Sequence, residues 1–99
     1  MFLARVIGTV VSTRKEPRTE GVRFLVVEKL DPTSMAGKQD YLVAMDAVDA
    51  GVDEVVLCVA GSAARLTAAT DGRPTDAAII GIVDDVDLGG RAVYRKDPA

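Results

Sequence analysis

A chain of 99 residues with 48% hydrophobic side chains and a net charge of −3 is expected to fold around a single core. The acidic balance and the few aromatic residues, two Phe and two Tyr, argue against binding of nucleic acid, which needs positive charge and stacking side chains. No apolar run approaches the roughly 18 residues of a membrane-spanning helix. The start MFLARVIGTVV lacks the features of a secretory leader, so we expect a cytosolic protein.

Short runs rich in Val, Ile and Leu recur along the chain and predict a mainly β fold. The predicted strands cover residues 2–13, 22–30, 41–48, 55–60 and 77–86. The first two flank a polar loop with Pro17 and Gly21, which predicts a long hairpin. Arg14, Lys15 and Arg18 in that loop are expected to form its solvated tip.

One segment predicts a short α-helix, AARLTAA at residues 63–69, with Ser62 as its N-terminal cap. Five strands and one short helix in so small a chain predict a closed or nearly closed OB-like β-barrel, because closure removes exposed sheet edges. We expect one domain over residues 1–99. Residues 89–99 are expected to form a C-terminal tail that packs along a neighbouring subunit or stays mobile.

The most apolar run, AAIIGIVDDV at residues 77–86, has a glycine at its centre. A missing side chain at Gly81 is typical of a bend in a strand of a tight barrel. It is also typical of a position where another backbone approaches closely. The residues alone leave both explanations open.

The sequence offers few residues suited to catalysis or metal binding. The chain has no histidine, and therefore lacks the usual general base near neutral pH and the usual metal ligand. Asp84, Asp85 and Asp87 loosely resemble a calcium loop, but Lys96 stands where an EF-hand places its bidentate glutamate. Cys58 lies in an apolar run and is expected to be buried. We expect no catalytic residue, no metal site and no cofactor.

Three blocks carry a family resemblance over Phe2 to about Leu88: FLARVIGTVVSTRK, VAMDAVDAGVDEVVLCVAGSAAR and DAAIIGIVDDVDL. In order and spacing they resemble the pentameric vertex proteins of bacterial microcompartments, the EutN/CcmL family. The resemblance implies a homopentamer that caps the vertices of a cytoplasmic protein shell, beside hexameric and trimeric shell proteins. It implies no enzymatic activity and no partnership with nucleic acid or membrane.

The resemblance also suggests where neighbouring shell tiles make contact. The family segment GAGxGE aligns with residues 49–54, and the segment IIGIVD with residues 79–84. This chain departs from the first pattern at Asp49 and Asp53, where the family often has glycine. The candidate tile contacts are Asp49, Ala50, Gly51, Val52, Asp53, Glu54, Ile80, Gly81, Ile82, Val83 and Asp84.

A third family segment, GSxAR, matches Gly61, Ser62 and Arg65, which are candidates for the ring's pore or its subunit interface. An alternative function from a different class is a monomeric OB-like module that binds a nucleic acid or a small ligand. The predicted fold suits that alternative, whereas the acidity and the scarce aromatic residues do not.

Overall fold

The computed structural model describes residues 1–12, 17–19 and 21–97. Within them the chain forms seven strands and two 3-10 turns. The strands are β1 (Phe2–Val10), β2 (Arg23–Leu30), β3 (Gly37–Asp46), β4 (Val55–Ala60), β5 (Ala77–Ile82), β6 (Asp85–Leu88) and β7 (Arg91–Arg95). The 3-10 turns cover Pro17–Thr19 and Gly61–Arg65.

The first five strands close into a barrel in the order β1-β2-β3-β5-β4. Strand β1 pairs antiparallel with both β2 and β4, which closes the barrel, and β3 meets β5 in parallel. The predicted hairpin of β1 and β2 and the mainly β, OB-like fold class are therefore confirmed. Arg14 and Lys15, in the loop between these two strands, lie outside the described residues.

Side chains from all five barrel strands build the core. Buried and less buried residues alternate in β1 and β2, where Val6, Leu25 and Val27 are fully buried, whereas β4 and β5 carry runs of adjacent buried residues that include the fully buried Val56 and Ile79. Burying each such side chain stabilises the fold by about 1.5–3 kcal/mol. No helix in the described part of the chain has the length and apolar character that a bilayer crossing demands.

Cys58 is part of this core, as predicted. Burial raises the pKa of its thiol to about 12, because the charged thiolate is poorly solvated there. The side chain therefore acts as a small hydrophobe.

The predicted α-helix at residues 63–69 is wrong. The chain makes only the 3-10 turn Gly61–Arg65, in which Ala64 is buried while Leu66, just beyond it, is exposed. So short a segment cannot recover the cost of nucleating a helix without an apolar face against the core. Ser62 lies inside the turn, and the residue at the cap position, Ala60, makes no side-chain cap bond.

The C-terminal segment is more ordered than predicted. The last barrel strand ends at Ile82, and β6 and β7 then form a separate two-stranded hairpin. Its turn is Gly89–Gly90, both with positive φ, which glycine adopts readily in tight hairpin turns. Residues 89–97, expected to be part of a tail, thus supply the turn and the second strand of this hairpin.

Candidate functional site

The two predicted tile-contact segments lie together at one end of β4, and we call residues 49–54 and 80–84 the rim. The amide of Val83 donates to the carbonyl of Val55 at 2.9 Å, one residue after Glu54. On the other side the amide of Asp53 donates to the carbonyl of Val6 at 2.8 Å, and the amide of Val6 donates to the carbonyl of Glu54 at 3.0 Å. The barrel backbone therefore fixes both segments.

A buried carboxylate at the end of β3 shapes the first rim segment. The side chain of Asp46 is 1% exposed and accepts hydrogen bonds from the amides of Val48 and Ala50, both at 3.0 Å. Arg23 lies 3.5 Å from the same carboxylate. Sequence reasoning missed Asp46, although an Asp at a strand end that binds amides two to four residues onward is a known turn-forming pattern.

Asp49 and Asp53 occupy left-handed backbone conformations, with φ of 60° and 73°. These are the two positions where the family pattern often has glycine, and aspartate is one of the few other residues that tolerates this region. Arg23 binds the Asp49 carboxylate at 2.7 Å, and Arg5 donates to the Asp53 carbonyl at 2.8 Å. Aspartate at these two positions therefore accommodates the left-handed backbone and places carboxylates on the surface of the loop.

Glu54 joins the rim to the C-terminal hairpin. One carboxylate oxygen accepts the Gly51 amide at 2.6 Å, and the other accepts the Lys96 ammonium at 2.5 Å. The bond to Lys96 is the larger cause that lowers the pKa of the Glu54 carboxyl, and the bond to the Gly51 amide adds to it. The same pairing raises the pKa of the Lys96 ammonium. Sequence reasoning did not assign Lys96 to this site.

The rim residues differ in what they present to a partner. Val52 is 52% exposed, and Asp49, Asp53 and Asp84 are also exposed. Gly51, Glu54, Ile80, Gly81, Ile82 and Val83 are half-buried. Ala50 is fully buried in the barrel core, so its side chain cannot reach a partner.

Gly81 sits opposite Leu57 on β4, next to a β-bulge. The pairing shifts so that Ile80 has no partner of its own on β4, and a bulge of this kind bends a strand locally. A Cβ built on Gly81 would lie 3.7 Å from the Leu57 Cβ, an ordinary van der Waals contact. The protomer therefore has room for a methyl group at this position.

The third predicted set, Gly61, Ser62 and Arg65, lies on the 3-10 turn at the other end of β4. Gly61 has a φ of 65°, and its amide donates to the Asp76 carbonyl at 2.8 Å. Arg65 donates to the Thr75 carbonyl at 3.3 Å. All three residues are exposed, and the structure does not bring them together with the rim.

An open polar cleft of about 620 Å³ borders the rim and is lined by Asp84, Asp85, Arg95, Lys96 and Asp97. Its basic side chains are already engaged with acids: Arg95 lies 3.6 Å from Asp85, and Lys96 binds Glu54. Over the described residues, no three His, Cys, Asp or Glu side chains are grouped so that they could hold a metal ion.

Comparison with known proteins places these features in a family. The family model described as "Ethanolamine utilisation protein EutN/carboxysome" matches residues 1–84. The chain is 53% identical over 96 residues to the carboxysome shell vertex protein CcmL of Synechococcus elongatus, an alignment that covers 97% of this chain and 96% of the relative.

Solved structures agree with this family. The structure of Gloeobacter violaceus CcmL matches with a TM-score of 0.91 at 47% identity, covering 97% of this chain and 98% of that one. The pentameric microcompartment shell protein GrpN from Rhodospirillum rubrum matches with a TM-score of 0.80 at 40% identity, covering 89% of this chain and 99% of that one.

Proposed function

The chain belongs to the EutN/CcmL family, and we propose on that basis that it is a structural protein that caps the vertices of a bacterial microcompartment shell in the cytoplasm. The observation that carries the proposal is the 53% identity, over nearly the whole chain, to a carboxysome shell vertex protein. The similarity to GrpN, a pentameric shell protein, supports a ring of five copies.

Two apolar patches on the outer surface of the barrel support such a ring. The β2–β3 face consists of Val26, Tyr41 and Val43, in which Val26 pairs with Val43. Tyr41 and Val43 are 55% and 48% exposed. The β1–β4 face consists of Leu3 and Leu57, which pair with each other. These faces lie on different sides of the barrel, and a cyclic ring needs two different patches that meet head to tail.

The rim is the surface we assign to the neighbouring hexameric and trimeric shell proteins. Val52 supplies an exposed apolar side chain there, and Asp49, Asp53 and Asp84 surround it with exposed polar groups. Gly61, Ser62 and Arg65, at the other end of β4, are assigned to the pore or to contacts between subunits of the ring. These assignments extend the family resemblance to individual residues.

The proposed role requires no bond making or breaking. The chain has no histidine to act as a general base near neutral pH. We therefore propose that the protein is not an enzyme and works without a cofactor, and that it binds neither nucleic acid nor membrane.

The mass of the purified assembly tests the proposed function. We expect native mass spectrometry to give five times the 10.4 kDa of one chain, and the ring to persist on dilution. Coexpression with hexameric shell proteins should then give closed shells that contain the ring. A stable monomer over a wide concentration range would contradict the proposal and favour the monomeric OB-like binding module.

A further inference from the structure

The C-terminal hairpin forms a sheet of its own. Over the described residues, β6 and β7 pair with each other and are not part of the closed barrel. A two-stranded hairpin by itself is marginally stable in water. The family model also ends at residue 84, immediately before β6. A contact at the base of the hairpin can therefore fix the direction in which it leaves the barrel.

We propose that the ion pair of Lys96 and Glu54 is a clasp that holds the C-terminal hairpin against the rim, so that hairpin and rim move as one unit. Lys96 directly follows β7 and is therefore at the base of the hairpin. Its ammonium reaches Glu54 at 2.5 Å, and its backbone amide donates to the Asp84 carbonyl at 2.8 Å. Both of these partners belong to the rim.

Glu54 suits this role because it binds both elements at once. Its second oxygen accepts the Gly51 amide at 2.6 Å, which fixes the carboxylate within the loop before it meets Lys96. A Cβ on Gly51 would approach that same oxygen to 3.3 Å, so the glycine leaves the carboxylate the space it uses. Lys96 is a positioning residue here, and its effect on tile contacts rests on the proposed function.

Variants can separate the clasp from the loop. Lys96→Met removes the ammonium and leaves the backbone bond to Asp84. Glu54→Gln keeps an oxygen for the Gly51 amide and loses the charge that attracts Lys96. Lys96→Arg keeps the positive charge and should restore the contact. Arg91→Met removes a charge beside the hairpin turn and serves as the matched control.

Hydrogen exchange of the intact ring measures the outcome. We expect amide exchange in residues 85–95 to quicken about threefold in Lys96→Met and in Glu54→Gln, a size typical of a partly exposed ion pair. Exchange in residues 49–54 should not change in Lys96→Met. Lys96→Arg and Arg91→Met should resemble the parent. Unchanged hairpin exchange in both Lys96→Met and Glu54→Gln would overturn the clasp, whatever the shell experiment shows.

The pH dependence of this difference distinguishes a clasp from general loosening. The pKa of Glu54 is lowered from its ordinary value of 4.5, so the pair is complete above that value and is lost as the pH falls through the lower value of the folded state. Asp84 and Tyr94 also act on Lys96 and raise its pKa, which keeps the ammonium charged throughout this range. The parent and Lys96→Met should therefore differ at pH 6 and converge in acid. A difference that persists after Glu54 is protonated would also overturn the clasp.

Discussion

At the scale of single residues, the rim is built by acids with different tasks. Asp46 is buried and organises the backbone, whereas Asp49 is exposed and holds a left-handed turn with Arg23 as its partner. Both acids are in the stretch MDAVD, and the composition of this stretch does not show that their roles differ. Burial determines the role of each, because a buried carboxylate must have its lone pairs satisfied by protein groups, while an exposed one is solvated by water.

This difference predicts unequal effects of the same substitution at the two sites. In the parent, both Asp46 carboxylate oxygens accept backbone N–H groups. Asp46→Asn replaces one of these oxygens with an amide nitrogen, which cannot accept, and should lower the free energy of unfolding by about 1–3 kcal/mol. Asp49→Asn keeps a residue that tolerates positive φ and removes only an exposed ion pair, so it should cost less than about 1 kcal/mol.

Chemical denaturation at one fixed protein concentration compares these two variants with the parent, since the stability of an assembly depends on concentration. Equal losses at the two sites would contradict the organising role of Asp46.

The two rim segments were predicted from the family resemblance, but the bonds that connect their residues were not. Glu54 and Lys96 are 42 positions apart, and no local pattern links them. Asp46 carried a recognisable turn signal at the end of a predicted strand. The left-handed φ values of Asp49 and Asp53 were not predicted, although glycine, which the family pattern often has at these positions, favours that conformation.

At the scale of elements, the barrel strands were predictable because short runs rich in Val, Ile and Leu are separated by turn residues. The short helix was not, since AARLTAA has good helix formers but no apolar stripe to hold it against the core. The β6–β7 hairpin was also missed. Its strands are short, and the residues that hold its base lie far away in the sequence.

The bulge in β5 leads to a prediction for Gly81. Because the unpaired Ile80 accounts for the local bend and a Cβ at Gly81 would make an ordinary contact with the Leu57 Cβ, we expect the barrel to tolerate a side chain at this position. We expect Gly81→Leu to keep the thermal melting temperature and to prevent closed shells when it is coexpressed with hexameric shell proteins. Gly81→Ala, with a single added methyl group, is the matched control and should close shells.

Each outcome that differs from this expectation has its own interpretation. Normal closed shells from Gly81→Leu would refute a contact between Gly81 and a neighbouring tile. Loss of the ring would place the glycine at a subunit contact beside Leu57, and a lowered melting temperature would return it to a role within the barrel.

At the scale of the whole molecule, the barrel explains how a small chain can present several separate surfaces. Closure pairs every barrel strand on both sides and so removes the edges of the sheet. Apolar side chains can then lie on different outer faces of the barrel without unpaired backbone beside them. Around the barrel the β1–β4 face and the β2–β3 face are two strand positions apart. In a closed ring each subunit binds the next through one face and the previous one through the other, so both faces of every copy are used.

Because the two faces differ, a variant damaged in one face should still bind a variant damaged in the other. Val43→Glu damages the β2–β3 face and leaves the β1–β4 face intact, whereas Leu3→Glu does the reverse. A charge buried without a partner at an interface is costly, so each variant alone should be a folded monomer by native mass spectrometry and circular dichroism. Mixed together, the two have one intact pair of faces between them and should form a dimer that contains one copy of each. A ring of five from either variant alone, or a mixture that stays monomeric, would contradict the assignment of these two faces to the head-to-tail contact.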